Sequence, residues 1–184
     1  MADDMLHLSP DSFPEVFHDL VWHLLASTRI MLLKLPAFIE AASNPELVAI
    51  LGDCVAPATR HAAALETILS GLDRPALLHT AELETLLGNA ARELSGMSSG
   101  KTRDLGVTNV VQTAMHMAIP SCELALSLAA VLGYPQHATA LTRLREDIAA
   151  TDARMQVVMR TQVAAHRVAK GTSSAATSDL NAVP

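Results

Sequence analysis

From Val16 onward, apolar residues recur every three or four positions through Phe17, Leu20, Leu24, Met31, Leu35 and Phe38, with the small Ser27 in the same series. That spacing keeps one face of an α-helix apolar along its whole length. A strand, whose faces alternate every second residue, cannot use it. The helix predicted here ends near Ala42, and at roughly 30 residues it exceeds the usual globular range. A helix this long needs equally long partners beside it, which is the architecture of a bundle. Its start is signalled by Asp11 or Ser12 as cap, Pro14 near the first turn and Glu15 at the positive end of the helix dipole.

The rest of the chain supplies the partners. In "SNPELVAIL" Asn44 is an N-cap, Pro45 the first helical residue and Glu46 a first-turn acid, which predicts a second helix from Pro45 to about Ser70. "GLDRPALLH" breaks it with Gly71 and Pro75. A shorter helix follows in "TAELETLLGNAARELSG", capped by Thr80, with Leu83, Leu86, Leu87, Ala90 and Leu94 on one face. A third long helix runs from about Asp104 to Leu132. Gly133 ends it, and Pro135 opens a fourth that reaches about Val168.

Pro36, Pro57 and Pro120 fall inside these helices and each removes a backbone hydrogen bond. Apolar spacing continues on both sides of each, so they are read as kinks rather than ends. The fold class is all-α, a ferritin-like four-helix bundle with a short extra helix in the crossover between helices two and three. A long crossover there lets two helical hairpins pack antiparallel. Residues 1–10 read as a flexible N-terminus, 11–169 as the bundle and the small, polar stretch 170–184 as a disordered tail.

Composition narrows the function. Hydrophobic residues make up 50% of the chain but aromatic ones only 3%, so the core must be built from Leu, Ala, Val, Ile and Met, which favours helices. A net charge of −6 without a basic stripe argues against nucleic acid as a partner. Cys54 and Cys122 are the only cysteines and form no CxxC, which disfavours a disulfide framework and fits a reducing, cytoplasmic setting. The opening "MADDMLHLSP" has no basic or long apolar run, so no signal peptide is expected. Apolar runs are interrupted by Thr, Arg, Lys or His before about 18 residues, so no membrane span is expected either.

Three segments, "LPAFIEAASNPEL" (35–47), "LAAVLGYPQHATAL" (128–141) and "EDIAATD" (146–152), resemble the YciE/YciF family of bacterial ferritin-like stress proteins in order and spacing. The likeness extends from Glu15 to Val158. It implies a di-metal carboxylate site for iron or manganese, with ligands projecting from all four helices. Carried across, the helix-one glutamate falls on Thr28. In helix two a glutamate and a histidine or acid fall on Ala56 and Thr59, and an earlier histidine on Cys54. The helix-three "EHYE" becomes Met115, His116, Met117 and Ala118. In helix four an acidic run becomes Glu146, Asp147 and Ile148, with Asp152 retained. Most of the anionic ligands are therefore replaced, and the resemblance implies a divergent member whose metal site is lost, its space filled by methyl and thioether groups.

His116, Glu146, Asp147 and Asp152 are what remain as candidate metal ligands, against an expectation of no bound metal or cofactor. The bland reading of His116 is a buried or half-buried histidine bonded to a carbonyl, its own being freed by Pro120. A zinc site from His61, His116 and Cys54 would need three or four converging ligands. Cys54, Cys122, Met115, Met117, Met155 and Met159 read as core, and His7, His79, His137 and His166 as solvated. No Ser/His/acid motif such as GxSxG is present. The leading function is a non-enzymatic, stress-associated homodimer, with the interface on helices two and three, the short helix and the crossover. The alternatives are a ferritin-like oxidoreductase or storage protein with a reduced iron or manganese ligand set, and a binder of an apolar small molecule.

Overall fold

A computed structural model describes residues 12–71 and 81–179, with 165–179 given by their helical backbone alone. Six helical segments follow in order: α1 Phe13–Ala41, α2 Pro45–Asp53, α3 Val55–Ser70, α4 Ala81–Gly96, α5 Lys101–Val131 and α6 Pro135–Asp179. Among the described residues there is no strand. The caps predicted at Asp11 and Thr80, the breaker Pro75 and the N-terminal stretch 1–10 lie outside the described residues.

Two short reversals make two antiparallel hairpins. At the first, the Asn44 side chain accepts from the backbone N–H of Glu46 at 2.8 Å and of Leu47 at 3.2 Å, with Pro45 behind it. Such a cap contributes about 1 kcal/mol. At the second, Gly133 adopts φ 71°, and the N–H groups of Gly133 and Tyr134 donate to the carbonyls of Ala130 and Ala129. These bonds satisfy the helix end and need a residue without a Cβ in the left-handed region.

The second predicted helix is divided. The Cys54 N–H donates to Leu51 rather than continuing the regular ladder, and α2 ends one residue before it. Pro57 explains the site of the break, because its ring lacks an N–H for the Asp53 carbonyl and crowds it. Pro36 and Pro120 stay inside continuous helices. The last helix does not stop near Val168 but keeps its backbone helical to Asp179, through part of the stretch expected to be a disordered tail. Extending a formed helix needs no new nucleus, so weak formers suffice.

Around the bundle the order is α1, α2–α3, α6, α5, with α4 laid over α1 and α5. One core region joins Phe17, Leu24, Leu65, Ile68, Cys122, Ala129 and Leu141. The other joins Phe38, Leu47, Leu51, Leu87, Val111 and Met155. The end of α3 thus lies at the same end of the bundle as the start of α1, while α5 begins at the opposite end. The chain has to cross the bundle's length between them, and α4 covers the second core region with Leu83, Leu87, Ala90 and Leu94 buried as the spacing predicts.

Length and composition require one correction. Over an 18-residue stretch α5 reaches a mean hydropathy of 1.4, enough for a membrane span by that criterion alone. In the apolar second half of α5 the strongly polar interruptions are His116 and Glu123, too few to lower the average further. The helix packs on α1, α4 and α6 as a bundle member.

Candidate functional site

Where the four long helices pass one another they leave a cavity of about 100 Å³. Successive turns of α1 bring Ser27, Thr28 and Met31 to its wall. Across the break, Cys54, Pro57, Ala58 and His61 form one face of the bent second helix. Helix α5 contributes Ala114, Met115 and Ala118, and α6 contributes Leu144, Asp147, Ile148 and Thr151. Leu83 closes the side covered by the crossover.

Six of the positions that the resemblance assigns to metal ligands or their neighbours, Thr28, Cys54, Met115, Ala118, Asp147 and Ile148, do meet at this wall. Ala56 and Thr59 do not. Both are exposed, and the Thr59 hydroxyl donates to its own helix at Val55. The facing positions are instead Ala58 and His61, two residues further on. The inward face runs through Leu47, Ile50, Leu51, Cys54, Ala58, His61, Leu65 and Ile68 at three- and four-residue steps across the break, so Ala56 and Thr59 fall on the outer side of that same spacing.

Most polar groups at the wall are already engaged. The Thr28 hydroxyl donates to the Leu24 carbonyl at 2.7 Å. The Cys54 thiol donates to the Ile50 carbonyl at 3.1 Å and lies 4.0 Å from the Thr151 hydroxyl. Burial is the main cause that pushes this thiol up from its ordinary pKa, keeping it protonated. His61 Nε2 lies 2.8 Å from Asp147 Oδ2, the histidine almost covered and the aspartate half exposed. Ser27 differs: its Oγ is buried and has no hydrogen-bond partner, a state that costs about 1–3 kcal/mol when left unrelieved.

The four candidate ligands do not converge. Glu146 is exposed. Asp147 turns to His61, while Asp152 lies in the α5–α6 contact, where it receives three donors. Gln112 Nε2 reaches Oδ1 at 2.6 Å, Gln156 Nε2 reaches Oδ2 at 2.7 Å, and His116 Nε2 stands 3.2 Å from Oδ2. Burial works against ionisation of this carboxyl, but the hydrogen bonds from Gln112, His116 and Gln156 and the charge of His116 outweigh it. The net effect is a pKa below the usual aspartate value. Sequence reasoning passed over both glutamines. Gln112 and His116, and likewise Asp152 and Gln156, are four apart and share a helix face, which was the available signal.

His116 therefore bonds a carboxylate and not a carbonyl, and its side chain is 55% exposed rather than buried. Pro120 frees the carbonyl, but the imidazole swings out to α6, where the charge of Asp152 is the stronger acceptor. His61 and His116 hold different aspartates, so the three-ligand zinc arrangement with Cys54 is not assembled. Among the described residues no three of His, Cys, Asp and Glu come together as a metal-binding group. Met117 is exposed, whereas Met155 is fully buried. Cys54 is only partly buried, whereas Cys122 is fully buried and its thiol is pushed up to about 12 by that burial. His137 is not simply solvated but stacks on Phe17 and meets Tyr134 edge-on, with centroids 6.1 and 5.3 Å apart.

This wall does not fit the pair of divalent cations that the resemblance implies. Two such ions bring a charge of about +4 and want carboxylate oxygens from several directions. The cavity offers one carboxylate, Asp147, and His61 already occupies it.

Two solved structures share this arrangement of helices. The Escherichia coli stress protein YciF superposes with a TM-score of 0.74 at 19% identity, covering 82% of this chain and 96% of its own. YcfI, a putative structural protein from Rhodopseudomonas palustris, superposes with a TM-score of 0.65 at 17% identity, covering 85% and 97%. No curated protein matches the chain. The family model described as a domain of unknown function, DUF892, matches residues 12–167, nearly all of the bundle, and the chain belongs to that family.

Proposed function

We propose that this protein is a non-enzymatic, stress-associated member of its family, acting in the cytoplasm, whose central site has exchanged metal ligands for an apolar wall. The observation that carries the reading is the wall itself. Thr28, Met115 and Ala118 stand where the resemblance places ligands, and the only carboxylate beside them is hydrogen-bonded to His61. The name given to the YciF structure supports a stress role, and that given to YcfI a structural one. Two free thiols, one deeply buried, fit a reducing compartment. The test is elemental analysis of the full chain purified without a metal-affinity tag. The expected result is far less than one iron or manganese per chain. Near one or two metals per chain, lost in His116→Ala, would replace this reading by a metal-dependent oxidoreductase or storage protein.

Self-association is the second part of the proposal, and a specific surface favours it. Met117, Leu124 and Val131 are exposed at seven-residue intervals along α5, so they lie along one side of that helix. Only 28% of the most apolar stretch of α5 is buried within the chain. A two-fold pairing of these faces is the commonest way to cover such a surface, and it places the interface on α5 rather than on the crossover.

A further inference from the structure

We propose that the central cavity is a binding site for one small neutral molecule, an aliphatic alcohol of about four to six heavy atoms, whose hydroxyl is received by Ser27. The inference rests on the reading that no metal occupies the bundle centre. Size is the first argument. The pocket is open on one side and holds about 100 Å³, somewhat less than the roughly 150 Å³ of an engineered apolar cavity that accepts benzene or xenon. A short aliphatic body fills that space, and an extended lipid chain would leave most of its length outside it.

Charge is the second argument. The body of the ligand would meet Met31, Met115, Ala118, Leu144 and Ile148, none of which can stabilise an ion. The one carboxylate at the wall, Asp147, is already held by His61 at 2.8 Å. An anion or an ammonium would enter without a counter-charge, so the occupant is neutral.

The third argument is the hydroxyl. The Thr28 O–H is committed to Leu24 and the Cys54 S–H to Ile50. Ser27 lines the same cavity, is 8% exposed, and its Oγ has no partner in the protein. One rotation about its Cα–Cβ bond offers a donor and an acceptor together. A ligand hydroxyl, itself donor and acceptor, matches both, whereas a purely apolar occupant leaves Ser27 unsatisfied.

The experiment uses the full chain with 13C-labelled methionine methyl groups. Met31 and Met115 line the cavity, while Met97, Met117 and Met155 do not, so they report specificity within one spectrum. Elemental analysis of the same sample reads the metal question separately. Titration with 1-butanol is expected to shift the Met31 and Met115 signals saturably, and xenon gas to do the same. Butyrate and butylammonium should leave them in place. Ser27→Ala should weaken butanol about fivefold, the worth of one hydrogen bond, without changing the xenon response. Ala118→Leu, its folding checked by its melting transition, should abolish both responses. A metal-free protein that shows no saturable shift with either molecule, a space filled by water alone, would overturn the site. Equal butanol affinity in Ser27→Ala, or butyrate binding as well as butanol, would overturn the ligand class.

Discussion

His116 and Asp152 face each other across the α5–α6 contact, with Nε2 3.2 Å from Oδ2, and they share that carboxylate with Gln112 and Gln156. The aspartate is nearly buried while the histidine is half in solvent. The carboxylate is thus the centre of the network, and the imidazole is one of three donors to it. Asp152→Asn should cost about 1–3 kcal/mol at neutral pH, because it sets an amide N–H₂ against groups that donate. Denaturant midpoints of the two proteins measure it.

The same group has a signature in pH. Its folded pKa lies below the ordinary value, so its stabilisation is present above the unfolded pKa of about 3.9 and is lost as pH falls through the folded one. The stability gap between wild type and Asp152→Asn should hold from about pH 7 to 5 and narrow below about pH 4. A gap that widened below about pH 4 would contradict the ionised network.

His116→Ala should be mild. With a side chain 55% exposed, the pair contributes less than about 1 kcal/mol. Gln112 and Gln156 continue to satisfy Asp152, so no buried charge is stranded. Thermal melting of the variant should stay within a few degrees of the parent, with metal content unchanged.

Rebuilding ligands is a sharper trial of the central site. Thr28→Glu, Ala58→Glu and Met115→Glu combined place three acids at the wall that already holds Asp147 and His61. Without a cation the variant should be clearly less stable than the parent, since carboxylates removed from water are costly. Added iron or manganese should restore part of the loss. A variant as stable as the parent and indifferent to metal would show that the wall is more open to water than its lining implies.

Leu124 stands 49% exposed in the middle of the α5 surface. If copies pair through that surface, Leu124→Glu should shift the mass seen by light scattering from twice 19.5 kDa towards 19.5 kDa, leaving helical content unchanged. A single-chain mass for the unmodified protein at high micromolar concentration would remove the dimer from the proposal.

Much of the bundle was readable wherever a local rule decides the structure. Asn44 before Pro45 marks a helix start because two N–H groups need an acceptor there. Gly133 before Pro135 marks the second reversal because that backbone angle excludes a Cβ. The stripe on α4 is plain periodicity. Position within the site was less legible. Pro57 acts on a carbonyl four residues upstream, so the break appears at Cys54. The positions that the resemblance set on Ala56 and Thr59 lie off the inward face, which holds Ala58 and His61. The direction taken by His116 depends on Asp152 lying alongside on another helix, a pairing of residues 36 positions apart. No local pattern reports that pairing.

The two hairpins, α1 with α2–α3 and α5 with α6, each close through a short reversal, so each can assemble from contacts near in sequence. The longer crossover is the last loop to be closed. The central cavity has walls from both hairpins. Whatever fills it is shared between two halves that fold as neighbours, so its binding free energy acts on the docking of one half against the other. A chain with an empty centre should therefore breathe along this seam, and one with a filled centre should exchange its α5 and α6 amide hydrogens more slowly together with those of α1 and α3.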